Sequence, residues 1–329
     1  MKKILMILES RASYGYSKNL INIIKNDKQF ICKTLVTGTH LSRELGSSVN
    51  DLKSDKIKID YKIKFNSNNF TNGIGSTIIK FNKILQNFNP DIVIIFGDRV
   101  ELIGIAIACV YSNKIIAHVQ AGDRSGHIDD ITRMTLSKLC HIHFPATKKA
   151  EERLIKLGEE KFRIFKVGAP QLDDINLKKI KEKKYIFLNK KKIFLDGEYI
   201  VLLQHSVFND QKIYSNKFEQ TLKAISRLKI KTYIIYPNYD PGYKSIIKKY
   251  KSNLDNNFFV FKHIKRDDFL RLVAHSSSLV GNSSAGLLET PSLKVPAVNI
   301  GNRQKLREQN ENIINSNYNS KNIYLAIKK

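Results

Sequence analysis

Short apolar, β-branched runs alternate with helix-like segments along this chain, and that rhythm constrains its fold more than any other feature. The first runs are Lys3 to Leu8, Phe30 to Thr37, Asp91 to Phe96 and Lys114 to Val119, and His143 to Ala146 and Arg163 to Val167 extend the series. Runs this continuous suit strands buried on both faces, and the helical patterns between them, of which Val100 to Tyr111 is the clearest, supply the crossovers of a parallel sheet. A second series follows the Asp196-Gly197 turn: Tyr199 to Leu203, Lys231 to Tyr236, Asn257 to Phe261, Ser278 to Val280 and Ala297 to Ile300. At 329 residues the chain is long for one core. Two βα series predict an α/β protein of two doubly wound domains, 1–170 and 171–329, with 171–197 a linker region.

A formal net charge of +26 raises the question of a nucleic-acid or membrane partner. The lysines are spread along the chain among many Asn and Ile. Their densest runs, Lys178 to Lys192 and Lys244 to Lys251, lack aromatics at a stacking spacing and read as solvated faces. The apolar run after Lys2-Lys3 ends at Glu9 and Arg11, too early for a signal peptide or a membrane span. Neither nucleic acid nor membrane is therefore expected as a partner. The positive field favours anionic small molecules instead. Cys32, Cys109 and Cys140 lie in or beside apolar runs without CxxC spacing, as expected of reduced core residues in a cytoplasmic protein.

Ionisable groups gather where strands should end. PDIVIIF (90–96) stops at Gly97-Asp98-Arg99, and KIIAHV (114–119) stops at Gln120-Ala121-Gly122-Asp123. Neighbouring parallel strands would bring Asp98, Arg99, Gln120 and Asp123 to one carboxyl edge, where open α/β sheets bind ligands. Arg124, Asp129, Asp130 and Arg133 follow, with a helix expected from Thr132 to Cys140. In the second half, LVGN (279–282) runs into Ser283-Ser284-Ala285-Gly286, a strand-to-helix turn of small residues whose N–H groups suit an oxyanion, and equally an ordinary helix cap. His205 and Arg303 lie beyond the ends of other strands. The first βα turn, ESRASY (9–14), has no GxGxxG fingerprint, which argues against a dinucleotide dehydrogenase. Two Rossmann-like halves facing a cleft describe the GT-B architecture, whose usual ligand is a nucleotide sugar.

Six segments occur in order: GDRVE (97–101), HVQAGDRSGHIDDITR (118–133), LQHSVFND (203–210), YPNYDPG (236–242), GNSSAGLLE (281–289) and VNIGNRQ (298–304). Together with SRASY (10–14) and TGTHLSRELG (37–46), they resemble the hydrolysing UDP-N-acetylglucosamine 2-epimerases of bacterial sialic-acid-type pathways and of the animal bifunctional enzyme. Asn282-Ser283-Ser284, where the non-hydrolysing branch has an SGG-type sequence, favours the hydrolysing branch. The resemblance implies removal of the C2 proton with departure of the nucleoside diphosphate, a glycal intermediate, and addition of water. It also implies a homodimer or homotetramer, a UDP- or GDP-linked amino sugar as substrate, and neither metal nor cofactor. It places Asp98 and Asp129 as acid/base carboxylates and Arg133 as a catalytic-site arginine. Arg11, Arg99, His205, Ser283, Ser284, Glu289 and Arg303 take nucleotide and diphosphate contacts, Glu289 at the ribose. His118, His141 and His143 are expected to be structural.

Three departures carry expectations of their own. Gln120 stands where the animal enzyme has a catalytic glutamate and another branch has histidine, so Asp123 is expected to carry the proton transfer that an amide cannot. Met134 stands where a histidine is usual, and the chain stops at Lys329, soon after VNIGNRQ, where relatives continue into a further helix. The alternatives are a non-hydrolysing 2-epimerase and an inactive nucleotide-sugar-binding homologue.

Overall fold

The structure, a computed structural model, describes residues 1–126, 128–188, 191–207, 214–251 and 255–329. His127 of the long motif and Phe208, Asn209 and Asp210 of LQHSVFND lie outside the described residues, as do Asn189 and Lys190 of the first lysine run. The chain forms two compact units, with the main changeover between Asp173 and Asp174.

The first unit is built on six parallel strands: β1 (Lys2–Leu8), β2 (Phe30–Val36), β3 (Tyr61–Lys62), β4 (Ile92–Phe96), β5 (Ile115–Val119) and β6 (Ile142–Phe144). They pair in the order β3-β2-β1-β4-β5-β6. The order reverses between β1 and β4, so connecting helices leave in opposite directions there and their turns open a crevice at the carboxyl edge. Leu5, Ile7, Val93 and Ile95 pack to one side of this sheet, and Ile4, Met6, Leu8, Ile94 and Phe96 to the other. Burial on both faces is why these runs lack polar alternation. Among the helices, α1 (Arg11–Asn26), α2 (Val49–Ser54), α3 (Phe70–Phe88), α4 (Glu101–Tyr111) and α5 (Asp129–Leu139) matter most here.

The second unit repeats the arrangement with β9 (Tyr199–Leu203), β10 (Lys231–Ile235), β11 (Phe258–Phe261), β12 (Ser278–Gly281), β13 (Ala297–Ile300) and β14 (Ile313–Ser316). Their order is β11-β10-β9-β12-β13-β14, again all parallel, with its reversal between β9 and β12. The segment from 177 to 194 carries a short helix (Leu177–Glu182) and an antiparallel hairpin of β7 (Tyr185–Leu188) and β8 (Lys191–Phe194). Its Ile186 and Leu188 join the core of the second unit. The final helix, Ser320–Lys328, buries Ile323. Among the described residues no helix is long and apolar enough to cross a membrane.

Two expectations need correction. Arg163 to Val167 is not a strand: a 3-10 turn covers Lys161–Arg163, and a single bridge joins Ile164 to His143. Only Ile164 is buried, in a small cluster with Ala121 and Leu154, while Phe165 and Val167 are half exposed, so the run follows β6 through a few backbone bonds without becoming a full strand. The helix expected from Thr132 starts at Asp129, which moves Asp129 and Asp130 from the loop into the first turn of α5. Carboxylates at that position interact favourably with the helix dipole and its free N–H groups.

Candidate active site

In the first unit, β4 and β5 pair along their whole length, Phe96 opposite Val119, so the residues that follow both strands share one edge. Arg133 comes to this edge from the second turn of α5 and is only 1% exposed. Its Nη2 donates to Asp98 Oδ2 in a very short ion pair, its Nη1 donates to the carbonyl of Gln120 (3.0 Å), and Asp123 Oδ2 lies 3.8 Å from Nη1. Burial alone would depress the pKa of this guanidinium. The carboxylates of Asp98, Asp123 and Asp129 more than offset that and hold it above the ordinary arginine value. Arg133 is thus a permanent charge, and it ties one strand end to the next.

Asp123, Gln120, Asp129 and His118 fall around this pair. Asp123 accepts a hydrogen bond at Oδ1 from the N–H of Arg124 (2.9 Å), a turn-capping contact, while its Oδ2 faces Arg133. Asp130 pairs with Arg124 Nε at 3.5 Å. Gln120 stands in the left-handed region with φ +60°, an uncommon backbone for a residue with a side chain and one that concentrates at functional sites. Its amide Nε2 donates to Oε1 of Gln171 (2.8 Å), and both residues are buried. Arg11 opens α1, where burial pulls its pKa down to about 10 and Asp51 partly offsets the shift. His118 is bonded through Nε2 to the carbonyl of Gly97 (2.7 Å), and burial pushes its pKa to about 3, so it stays neutral beneath the site. His143 meets the buried carboxylate of Glu159 at 3.1 Å, and His141 Nδ1 accepts from the N–H of Ile116.

The same crevice holds a feature the sequence reading passed over. Glu9, the residue after β1, and Glu101, the first of α4, are buried carboxyls 2% and 0% exposed, and they flank the reversal between β1 and β4. Burial, then the neighbouring Glu101, raise the pKa of Glu9 well above the carboxylate norm; bonds from its own N–H and Ser13, and the charge of Arg99, moderate the rise. The signal of Glu9 in the sequence is a carboxylate directly after the apolar run Lys3 to Leu8, the same placement that marks Asp98 and Gln120.

The second unit gathers the other predicted residues at its own reversal. The amide of Asn282 bridges β9 and β12: Oδ1 accepts from the N–H of His205 (2.7 Å), and Nδ2 donates to the carbonyl of His205 (2.9 Å). Gly281 approaches β9 so closely, at φ +137°, that a Cβ there would stand 2.6 Å from the carbonyl carbon of Leu203. His205 Nδ1 accepts from the N–H of Asn238 (3.1 Å), which leaves Nε2 to carry the proton of a neutral ring. Arg303, buried, donates Nη1 to the carbonyl of Asn282 (3.3 Å), with Asp240 Oδ2 3.7 Å from Nη2. Ser283 Oγ accepts from the N–H of Ala285, and Ser284 precedes a four-residue helix (Ala285–Leu288) without capping it through its side chain. Glu289 takes Arg266 Nη1 on Oε1 (3.3 Å), whereas its buried Oε2 has no partner among the described residues. The first unit therefore carries a carboxylate-rich edge around Arg133, and the second a donor-rich edge of Ser283, Ser284, His205 and Arg303.

Comparison with known proteins gives these arrangements a context. A family model described as UDP-N-acetylglucosamine 2-epimerase matches residues 22–329. A hydrolysing UDP-N,N'-diacetylbacillosamine 2-epimerase of Legionella pneumophila is 32% identical over 95% of this chain and 85% of its own. A UDP-N-acetylglucosamine 2-epimerase of Neisseria meningitidis is 31% identical over 100% of this chain and 87% of its own. Among solved structures, the Methanocaldococcus jannaschii UDP-GlcNAc 2-epimerase in complex with UDP-GlcNAc and UDP superposes with a TM-score of 0.82 at 19% identity, covering 99% of this chain and 92% of that one. The GT-B-like fold is shared across that whole length.

Proposed function

The chain belongs to the UDP-N-acetylglucosamine 2-epimerase family, and from that premise we propose that it is a hydrolysing 2-epimerase of a UDP-linked 2-acetamido sugar. The observation that carries the reading is the buried Arg133 guanidinium clamping Asp98 at the sheet edge, with Asp123 and Asp129 around the same charge. Inverting C2 takes a base on one face of the sugar and an acid on the other, and carboxylates held at one edge supply both roles. Asp98 and Asp129 exchange the C2 proton. As it leaves, the C1–O bond breaks, its electrons depart with UDP, and a glycal remains. Water then adds at C1 and a proton returns to C2 from the opposite face, so UDP-sugar and water become UDP and the epimeric free sugar. Arg133 fixes the orientation of Asp98. Arg303, His205, Ser283 and Ser284 stabilise the charge that develops on the departing diphosphate, and the unpartnered Oε2 of Glu289 accepts from a ribose hydroxyl.

Two relatives support hydrolysis in particular: the Legionella enzyme is called hydrolysing, and a Campylobacter jejuni one, 30% identical over 97% of this chain, is a hydrolysing GDP/UDP-N,N'-diacetylbacillosamine 2-epimerase. On this reading the product feeds synthesis of a nonulosonic acid or another surface glycan. The amide at Gln120 favours a second reading, a homologue that binds the nucleotide sugar without turning it over. Incubation with UDP- and GDP-linked amino sugars in deuterated water separates them. Nucleotide release with deuterium at C2 is expected. Deuterium without release would mean a non-hydrolysing epimerase, and UDP binding with neither would mean a binding protein.

A further inference from the structure

Gln171 was in none of the predicted roles, yet it is the only described partner of the side chain at the position that departs most from the resemblance. It sits in a 3-10 turn (Pro170–Leu172), fifty-one residues from Gln120, and is fully buried. Every backbone group of Gln120 is already engaged: its N–H donates to the carbonyl of Phe144 (2.9 Å), and its carbonyl accepts from Arg133. Among the described residues the side chain has one hydrogen bond, from Nε2 to Gln171 Oε1 at 2.8 Å. An amide has a donor end and an acceptor end of the same shape. With its donor end held by Gln171, Gln120 turns its acceptor oxygen to whatever else approaches.

We propose that Gln171 is a positioning residue that fixes the amide of Gln120, so that position 120 presents a hydrogen-bond acceptor to a hydroxyl or acetamido N–H of the sugar. This rests on the epimerase reading above. It also explains how an amide serves beside the carboxylates without exchanging protons: it orients the sugar, and Asp98, Asp123 and Asp129 are left to move the proton. Gln171 further makes the position convertible. If a carboxylate replaced the amide of Gln120, Gln171 would reverse its own amide and donate to it, because both ends of the clasp have the same shape.

The test uses the full chain with Gln171→Leu, which removes the acceptor, and Gln171→Glu, which keeps one for Gln120 Nε2. We expect Gln171→Leu to raise KM for the UDP-amino sugar up to about tenfold, the scale of one buried hydrogen bond, with UDP affinity unchanged, and Gln171→Glu to restore most of the loss. A merely structural role would lower the melting temperature and weaken both ligands alike. A wild-type KM in Gln171→Leu, or equal damage in Gln171→Glu, overturns the proposal. A second arm needs no substrate. In the double variant Gln120→Glu/Gln171→Glu two buried carboxyls face each other and must share a proton, so between about pH 5 and 8 its melting temperature should drop by several degrees more than that of either single variant. Parallel curves for the double and single variants would show that the clasp is absent. If that arm succeeds but the wild-type protein binds no UDP-amino sugar, it is the epimerase reading that fails, and the positioning role falls with it.

Discussion

Arg133 offers the sharpest quantitative test, because its removal leaves charges behind. In Arg133→Met the aliphatic stem is retained, but Asp98 and Asp123 lose their shared cation, and the carbonyl of Gln120 loses a donor. Breaking a fully buried ion pair from one side costs about 3–5 kcal/mol. Here the arginine is fully buried, but the side chains of Asp98 and Asp123 retain 18% and 23% exposure, so water relieves part of the penalty. We therefore predict a loss near the lower end, about 3 kcal/mol, which for a domain of this size is roughly 6–12 °C in melting temperature. The assay is a thermal melt of the full chain by circular dichroism at pH 7, following the transition of the first unit. Asp98→Asn/Arg133→Met should cost less than the sum of its two single variants by more than about 1 kcal/mol, because the neutral amide no longer needs a cation. A change under about 2 °C in Arg133→Met, or strict additivity in the pair, would refute the view that this arginine is the electrostatic keystone of the edge.

Four further predictions follow from the same geometry. Asp98→Asn and Asp129→Asn should each reduce nucleotide release by about 10²-fold or more with UDP affinity nearly intact, and near-normal turnover in either would remove that residue from proton transfer. Ser284→Ala, Arg303→Ala and His205→Ala should each weaken UDP binding by about 1.5–3 kcal/mol in calorimetry, and unchanged affinity in all three would end the diphosphate assignment. Asp123→Asn should lose C2 deuterium exchange whereas Gln120→Glu stays active; full exchange in the former would reduce Asp123 to the turn cap it forms with Arg124. The raised pKa of Glu9 means that the folded state holds its proton more tightly than the unfolded chain, so its stabilising effect is complete below about pH 4.3 and is lost as pH rises through the folded-state value. Melting temperatures of wild type and Glu9→Gln should therefore diverge in favour of the variant toward pH 8; curves that stay parallel would mean the carboxyl does not titrate there.

How much of this was legible in the sequence depended on burial. β4, β5, β9 and β13 were readable because strands covered on both faces must be continuously apolar, and the residues ending them, Asp98, Gln120 and His205, then fall at the edge by geometry alone. Two of the four edge strands gave no such signal, whereas His143 to Ala146 and Asn257 to Phe261 marked β6 and β11. β3 is two residues long, and β14, IINS, is only half buried. The β7–β8 hairpin was hidden because its buried residues, Ile186 and Leu188, alternate with exposed ones inside a lysine-rich stretch. Arg163 to Val167 erred the other way: of its apolar residues only Ile164 is buried, while Phe165 and Val167 are half exposed. Within the site, single residues at strand ends were found, whereas pairings were not. Glu9 meets Glu101, and Gln120 meets Gln171, only because the sheet order folds distant segments onto one edge, and no local spacing encodes that.

If the second unit holds the nucleotide as proposed, the bridge made by Asn282 bears on how it would do so. Both ends of that amide are spent on the backbone of one residue, so the two strand tips at the reversal are fastened at a set width before anything binds. A nucleotide arriving there would find its donors already frozen in place. The loss of freedom that a loose loop would impose at binding has instead been met once, during folding. Asn282→Asp keeps the outline but can no longer donate to the carbonyl of His205, so it would set one side of the fastening free. Its signature would be entropic: at the same temperature, calorimetry should show a larger entropy loss on binding UDP, even where the contacts made in the complex are the same.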